Sequence, residues 1–183
     1  YTQMLNENGK LEADITVTKI SANKFMVIAT DTMHRHVEAH LMRHLDPSGE
    51  KRVVVTDVTG AYAQLNVQGP QSRELMRAVM RNTSGLAEGE ALDEDIFTEA
   101  SFPFRHAREI AIGLARVRCA RITYVGELGY ELHVPVEQAL HVYNHVTRVA
   151  EEGAFGMVHG GLKALASLRL EKGYRDYGHD MDN

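Results

Sequence analysis

The 183-residue chain is predicted to adopt an α+β fold, with antiparallel sheets and helices packed on one face of them. Strand patterns occur in pairs separated by short turns, as antiparallel hairpins require. Segments with helical periodicity follow these pairs instead of alternating with single strands. An apolar content of 44% with 25% charged residues predicts a folded core, in one domain or two small lobes.

The first half of the chain contains two predicted hairpins and two predicted helices. LEADITVTKI and KFMVIAT, joined by residues 21–23, form the first hairpin. Asp31 is expected to cap a helix over residues 32–45, which carries an apolar stripe. RVVVTDV and AYAQLNV are the next expected strands, and Pro70 is expected to open a helix through SRELMRAVM.

The second half begins with an acidic, weakly periodic region in which residues 85–95 are expected to form a turn and a short helix. Residues 110–118 are expected to begin one strand that leads into a hairpin. After that hairpin, Pro135 starts a helix that ends at Gly153. A last helix is expected to span residues 160–172.

The stretch ARITYVGELGYELHVP, residues 120–135, is the most informative of the chain. Its apolar residues alternate on both sides of a turn bracketed by Gly126 and Gly129, which predicts one hairpin with Tyr124 and Glu131 close together. A phenol beside a carboxylate can recognise the hydrogen-bonding edge of a heterocycle. The alternative interpretation is an ordinary hairpin whose glutamate faces water.

The charge and cysteine content exclude several classes of function. Net charge is −5, the isoelectric point is near 6.1 and the basic residues are dispersed, so no nucleic acid or anionic membrane partner is expected. The single Cys119 excludes an intramolecular disulfide and fits a reduced compartment. No apolar run approaches the roughly 18 to 20 residues of a membrane span, and the N-terminus lacks a signal-peptide layout.

Three histidines invite a metal hypothesis. His36, His40 and His44 recur at four-residue spacing, which places them on one helix face. No acid or thiol near them in sequence completes a closed site, so a solvated polar face is the alternative, and no metal ligand is assigned.

Three blocks together resemble the folate-binding region of the aminomethyltransferase family: DVTGAYAQLNVQGPQSRELM at 57–76, the 120–135 hairpin, and GLKALASLRLEKGYRDYGHDMD at 161–182. That family includes the glycine cleavage T-protein and the C-terminal halves of dimethylglycine and sarcosine dehydrogenases. YVGELGYEL and SLRLEKGYR are more similar to the dehydrogenase branch. Leu165 stands where the T-protein branch carries an arginine, which also favours the dehydrogenase branch.

On the first hairpin, the resemblance implies three site residues. Asp14 matches the family's acid near N10 of the folate, and its carboxylate would stabilise a cationic iminium and order the amines for attack. Thr16 matches a neighbouring contact. Ile28 matches a position whose backbone lies along the pterin.

In the second half, the resemblance implies three further folate contacts. Tyr124 and Glu131 match the tyrosine and glutamate with which the dehydrogenase branch holds the pterin. Tyr174 is the third candidate. Glu127, at the hairpin tip, is either a further polar contact or a solvated side chain.

The resemblance also implies an activity and a place in a longer protein. Residues 1–183 are expected to be a fragment, the central part of the folate-binding domain, with a flavin (FAD) domain and a C-terminal barrel elsewhere. A small methylated amine would be oxidised at the flavin, and tetrahydrofolate held here would accept the carbon as 5,10-methylenetetrahydrofolate. The alternatives are an aminomethyltransferase, a folate-dependent demethylase or a non-catalytic regulatory homologue. The mitochondrial matrix or a bacterial cytoplasm is the expected location.

Overall fold

The computed structural model describes residues 1–83 and 96–182, which form two compact units. The first unit consists of Tyr1–Asp57 with Arg175–Asn183, and the second of Val58–Tyr174. Both combine antiparallel strands with helices, so the predicted α+β class is confirmed. The expected turn and short helix at 85–95 lies outside the described residues.

The first unit contains a three-stranded antiparallel sheet and one α-helix: β1 (Thr2–Leu5), β2 (Leu11–Ser21), β3 (Lys24–Ile28) and α1 (His34–Arg43). The strands lie in the order β1-β2-β3, and the predicted first hairpin is confirmed as β2 and β3. Ala13 and Ile15 of β2 form a small core with Val37 of α1. One face of the sheet is therefore apolar, and the alternate residues of β2 lie on the other face.

The prediction that Asp31 caps the first helix is wrong. The helix begins at His34, and Met33 at the N-cap position makes no side-chain cap bond. Residues 30–33 instead form a turn in which the Met33 N–H donates to the carbonyl oxygen of Thr30 at 3.0 Å. This turn places Asp31 outside the cap position, where its backbone oxygen lies 2.8 Å from Nδ1 of His34.

The prediction of a strand at RVVVTDV is also wrong, because residues 52–58 adopt no strand. Val53 is 57% exposed and Val54 is 85% exposed. Branched side chains favour a strand only where a neighbouring strand and a packed face receive them. Neither is present for this segment among the described residues.

In its described residues, the second unit contains a four-stranded antiparallel sheet and three α-helices: β4 (Tyr62–Gln68), α2 (Ser72–Arg81), β5 (Ala107–Ile112), β6 (Ala115–Ala120), β7 (Gly129–Pro135), α3 (Ala139–Glu152) and α4 (Leu162–Glu171). The strands lie in the order β4-β7-β6-β5. Helix α2 begins two residues after Pro70. The single strand expected at 110–118 is wrong, because a turn at Gly113 and Leu114 divides it between β5 and β6.

The core of the second unit lies between one face of the sheet and helices α2 and α3, so helices covering one sheet face are confirmed. Tyr130 and Leu132 of β7 are fully buried on that face. The Tyr130 ring meets the ring of Phe97 edge-on at 5.4 Å between centroids, a favourable aromatic geometry. Cys119 of β6 is fully buried, and burial raises the pKa of its thiol. No helix in the described part of the chain is long and apolar enough to cross a membrane.

Candidate functional site

The polar face of the four-stranded sheet carries Glu131 at its centre. Glu131 lies on β7 opposite Asn66 of β4 and Ala120 of β6, and its side chain is only 16% exposed. Among the described residues, no hydrogen bond reaches its carboxylate, and Nε2 of His133 lies 3.9 Å from its Oε2. Burial raises the pKa of this carboxyl. A buried carboxylate of this kind is suited to accept N–H bonds from a ligand.

Two residues beside Glu131 were missed by the sequence reasoning. His133 follows two positions later on the same face of β7, and its side chain is 5% exposed. Gln68 of β4 lies opposite Gly129, with its side chain against the glycine. Neither His133 Nε2 nor Gln68 Nε2 has a hydrogen-bond partner in the described part of the chain. The two-residue spacing in GYELHV is the sequence signal that could have found His133.

Tyr124 does not lie on a strand, so the predicted single hairpin over 120–135 is wrong. β6 ends at Ala120, and residues 121–128 form a loop before β7. Arg121 explains the departure, because its N–H donates to His106 O and its carbonyl accepts from Arg105, both at 2.8 Å. The chain therefore stays paired with the β5 side after it has left β7. The expected closeness of Tyr124 to Glu131 stays a prediction.

The loop does bring Tyr124 to Tyr174, another predicted contact residue. Their rings lie nearly parallel, 18° apart, with centroids separated by 6.0 Å. The guanidinium of Arg169, a buried side chain of α4, lies 5.9 Å from the Tyr124 ring centroid and donates to the Tyr174 carbonyl oxygen at 2.9 Å. Gly126 holds the loop against the end of α4, because its backbone approaches the side chain of Lys172. The rings of Tyr124 and Tyr174 therefore lie side by side in the second unit.

Asp14, Thr16 and Ile28 lie together on the first unit's sheet. Asp14 and Thr16 occupy alternate positions of β2, and Thr16 pairs directly with Ile28 of β3, so all three share one face. Asp14 is partly buried, and the hydroxyl of Tyr1 donates to its Oδ2 at 2.5 Å. This face lies opposite the apolar face that packs on α1.

Tyr177 is a further residue near Asp14 that the sequence reasoning missed. It is buried in the first unit, and its hydroxyl donates to the Leu11 carbonyl oxygen at 3.1 Å. Burial raises the pKa of the Tyr177 phenol, and the negative charges of Glu12, Asp182 and Asp14 raise it further. The second aromatic residue of KGYRDYG was the available signal.

The histidine face of α1 has an acidic partner that sequence spacing did not reveal. Nε2 of His36 lies 2.7 Å from Oε2 of Glu12 on β2. The side-chain amide of Asn6 and then His36 hold the pKa of Glu12 below its ordinary value. The rings of His40 and His44 are tilted by 34° to one another, with centroids 4.4 Å apart. No group of three or more histidine, cysteine or acidic residues suited to a metal ion occurs within 1–83 and 96–182.

Comparison with known proteins identifies the family. The model of the GCVT N-terminal domain matches residues 1–183, the whole chain. The chain belongs to this family. The GCVT chain is 31% identical over 183 residues to the mitochondrial pyruvate dehydrogenase phosphatase regulatory subunit of Mus musculus and 31% identical over 194 residues to the mitochondrial sarcosine dehydrogenase of the same organism. It is 30% identical over 183 residues to the aminomethyltransferase of Chlorobium limicola.

These relatives are longer than the GCVT chain. The alignments cover 100%, 99% and 100% of this chain but 19%, 19% and 46% of the respective relatives. The chain is also 27% identical over 184 residues to the mitochondrial dimethylglycine dehydrogenase of Homo sapiens. The predicted resemblance to aminomethyltransferases and to sarcosine and dimethylglycine dehydrogenases is therefore confirmed, and the relatives include enzymes and a regulatory subunit.

Proposed function

We propose that this GCVT chain is the tetrahydrofolate-binding part of a flavin-dependent dehydrogenase of methylated amines such as sarcosine or dimethylglycine. The observation that carries the proposal is Glu131, a mostly buried carboxylate with no hydrogen-bond partner among the described residues. Burying such a group without a partner is unfavourable, so a ligand that donates two N–H bonds would relieve the cost. The 2-amino and N3–H groups of a pterin are such donors.

In this proposal Glu131 binds the pterin, and Asp14 is assigned to the reacting carbon because it matches the family's acid near N10. Glu131 accepts the pterin N–H bonds, while Tyr124 and Tyr174 provide aromatic contact area. Thr16 and Ile28 lie on the same sheet face as Asp14. We propose that both contact the folate. FAD is assigned to polypeptide outside this chain, since no glycine-rich dinucleotide fingerprint follows a strand in its sequence.

Asp14 serves the one-carbon transfer. Oxidation of the methylated amine elsewhere yields an iminium, whose positive charge a nearby carboxylate stabilises. Tetrahydrofolate supplies N5 and N10, which together bond to the iminium carbon as its bond to the amine nitrogen breaks. The two N–H protons pass to the leaving amine, so the products are 5,10-methylenetetrahydrofolate and an ammonium ion. Asp14 orders the amines for attack and holds a proton during this exchange.

Two other functions have support from the comparisons. The 30% identity to an aminomethyltransferase favours transfer of a one-carbon unit without a flavin, and a folate-dependent demethylase belongs to the same class. The 31% identity to a phosphatase regulatory subunit favours a homologue that uses the fold for protein contact. For each of the proposed enzymatic functions, the expected cellular location is the mitochondrial matrix or a bacterial cytoplasm.

The test uses the full-length protein with an Asp14→Ala substitution. Amine oxidation should be nearly unchanged, because Asp14 acts after that step, while the yield of methylenetetrahydrofolate falls and free formaldehyde rises. Loss of a positioned acid or base slows the step it serves by about 10²- to 10⁴-fold. Amine consumption, folate product and formaldehyde are measured in the same reaction.

Asp31→Ala is the matched control, because Asp31 is an exposed acid of the same unit that caps no helix. It should leave both products unchanged. Equal methylenetetrahydrofolate from the Asp14 variant and the parent would remove Asp14 from the mechanism. A full-length protein that neither oxidises amines nor binds folinic acid would favour the regulatory function instead.

A further inference from the structure

The polar face of the four-stranded sheet carries three partly or fully buried polar side chains in a row. Register places Gln68 opposite Gly129, and Glu131 and His133 follow at alternate positions along β7. Directly opposed residues and alternate residues of a strand share one face. Gln68 takes the place of a side chain at 129, since its Cγ lies 2.9 Å from where a glycine Cβ would be. The row therefore reads amide, carboxylate, imidazole.

Each member of this row has hydrogen-bonding capacity that the protein does not use. The amide nitrogen of Gln68 and Nε2 of His133 are buried and have no partner within the described residues. The Glu131 carboxylate accepts no hydrogen bond there either. Buried polar atoms in folded proteins are nearly always hydrogen-bonded, so two such atoms beside a mostly buried carboxylate on one face point to a ligand.

The protonation states of Glu131 and His133 determine which members of the row donate hydrogen bonds and which accept them. Burial lowers the pKa of His133, and the positive charge of Arg118 on the neighbouring strand lowers it further, so the imidazole is neutral at pH 7. A neutral imidazole with its proton on Nε2 is a donor at that atom. The Gln68 amide nitrogen is a donor and an ionised Glu131 is a double acceptor. The row is then donor, double acceptor, donor.

We infer that Gln68 and His133 are ligand contacts that flank Glu131 and select the 2-amino-4-oxo edge of a fused pyrimidine ring. That edge presents N1 as an acceptor, the 2-amino group and N3–H as donors, and O4 as an acceptor, the complement of the row. The inference rests on the proposed folate function and deepens it by naming the part of the ligand that is read. A 2,4-diamino ring replaces O4 by a donor and N3–H by an acceptor, and the row disfavours it.

The test measures binding to the full-length protein by titration calorimetry with folinic acid, and with folic acid and aminopterin, which differ in the 4-oxo and 4-amino groups. The parent should bind folic acid at least about tenfold more tightly than aminopterin, since unpaired buried polar groups penalise the wrong edge. Gln68→Met and His133→Met each remove a donor and keep an unbranched side chain of moderate size. Each should weaken folinic acid binding about tenfold. The variant that removes the donor facing O4 should also reduce the preference for folic acid over aminopterin.

Gln71→Met is the matched control, because Gln71 is exposed and makes no side-chain cap bond at the start of α2. It should leave both affinities unchanged. Circular dichroism of each variant establishes that the sheet is folded, and His133→Gln, which retains an N–H donor, should recover part of the lost affinity. If the parent binds folinic acid and both Gln68→Met and His133→Met bind it with the same affinity, this inference is overturned and the proposed function still stands. Parent protein that binds none of the three compounds would overturn both.

Discussion

At the scale of single residues, two glutamates four positions apart occupy opposite environments. Glu131 lies in the middle of a sheet face and is mostly buried, whereas Glu127 lies exposed in the preceding loop. Burial raises the pKa of Glu131 because the charged form loses hydration. An ionised Glu131 therefore lowers the stability of the unliganded fold while it prepares the site for a ligand.

Replacement of Glu131 by glutamine should separate these two effects. A carboxyl with a raised folded-state pKa contributes stability at low pH, and that contribution is lost as pH rises through the folded-state pKa. Glu131→Gln removes this loss, so at pH 7 its free energy of unfolding should equal or exceed that of the parent. Its affinity for folinic acid should fall about tenfold or more, because an amide nitrogen replaces an acceptor. Urea denaturation from pH 4 to pH 8 and calorimetric titration measure the two quantities.

Glu127→Gln is the control for both measurements and should change neither. A Glu131 variant that is less stable than the parent at pH 7 and binds folinic acid normally would give the carboxylate a structural role. The site assignment on β7 would then be withdrawn even with the family assignment intact.

At the scale of elements, the alternating pattern of the chain predicted β2, β3, β4 and β7 but failed at residues 121–128. The pattern through Tyr124 has the period of a half-buried strand, and a sequence alone cannot show that Arg121 stays paired with Arg105 and His106. The prediction of a strand at Val53 and Val54 failed for a related reason, since strand formation depends on partners distant in sequence. Helices α2, α3 and α4 were predicted within a few residues because their periodicity is local.

The loop at 121–128 depends on Gly126 for its attachment to α4. Gly126 has φ +75°, and an added Cβ would lie 2.7 Å from the Cβ of Lys172. Gly126→Ala should lower the free energy of unfolding by about 1 kcal/mol or more, from backbone strain and from displacement of the lysine. It should also weaken folinic acid binding, because Tyr124 is carried by the same loop. Chemical denaturation and calorimetry check the two effects.

Gly60→Ala is the matched substitution, since its φ is not positive and no atom lies within 4 Å of the position of an added Cβ. Its unfolding free energy should remain within about 0.5 kcal/mol of the parent. Equal stability of the Gly60 and Gly126 variants would show that the contact with Lys172 does not hold the loop.

At the scale of the whole molecule, the fold class followed from local patterns, whereas the site followed mainly from resemblance. Patterns could place Glu131 on a strand, but they could not show that its carboxylate has no hydrogen-bond partner among the described residues. Gln68 and His133 became visible only once strand register put them beside Glu131. Asp14, Thr16 and Ile28 were expected from resemblance, and the register of β2 and β3 gives them a shared face.

Chemical labelling of one cysteine can measure how often the four-stranded sheet opens. Cys119 is the single cysteine of the sequence, lies fully buried on β6 and pairs with Leu132, the residue between Glu131 and His133. A thiol reagent can reach Cys119 only when the sheet opens, so labelling of Cys119 in native protein should be slow and its labelling in guanidinium immediate. A ligand that binds only the closed sheet slows labelling by the factor 1 + [L]/Kd. Labelling rates at increasing folinic acid should therefore report occupancy of the polar face, and fast labelling that ignores the ligand would contradict the site on β7.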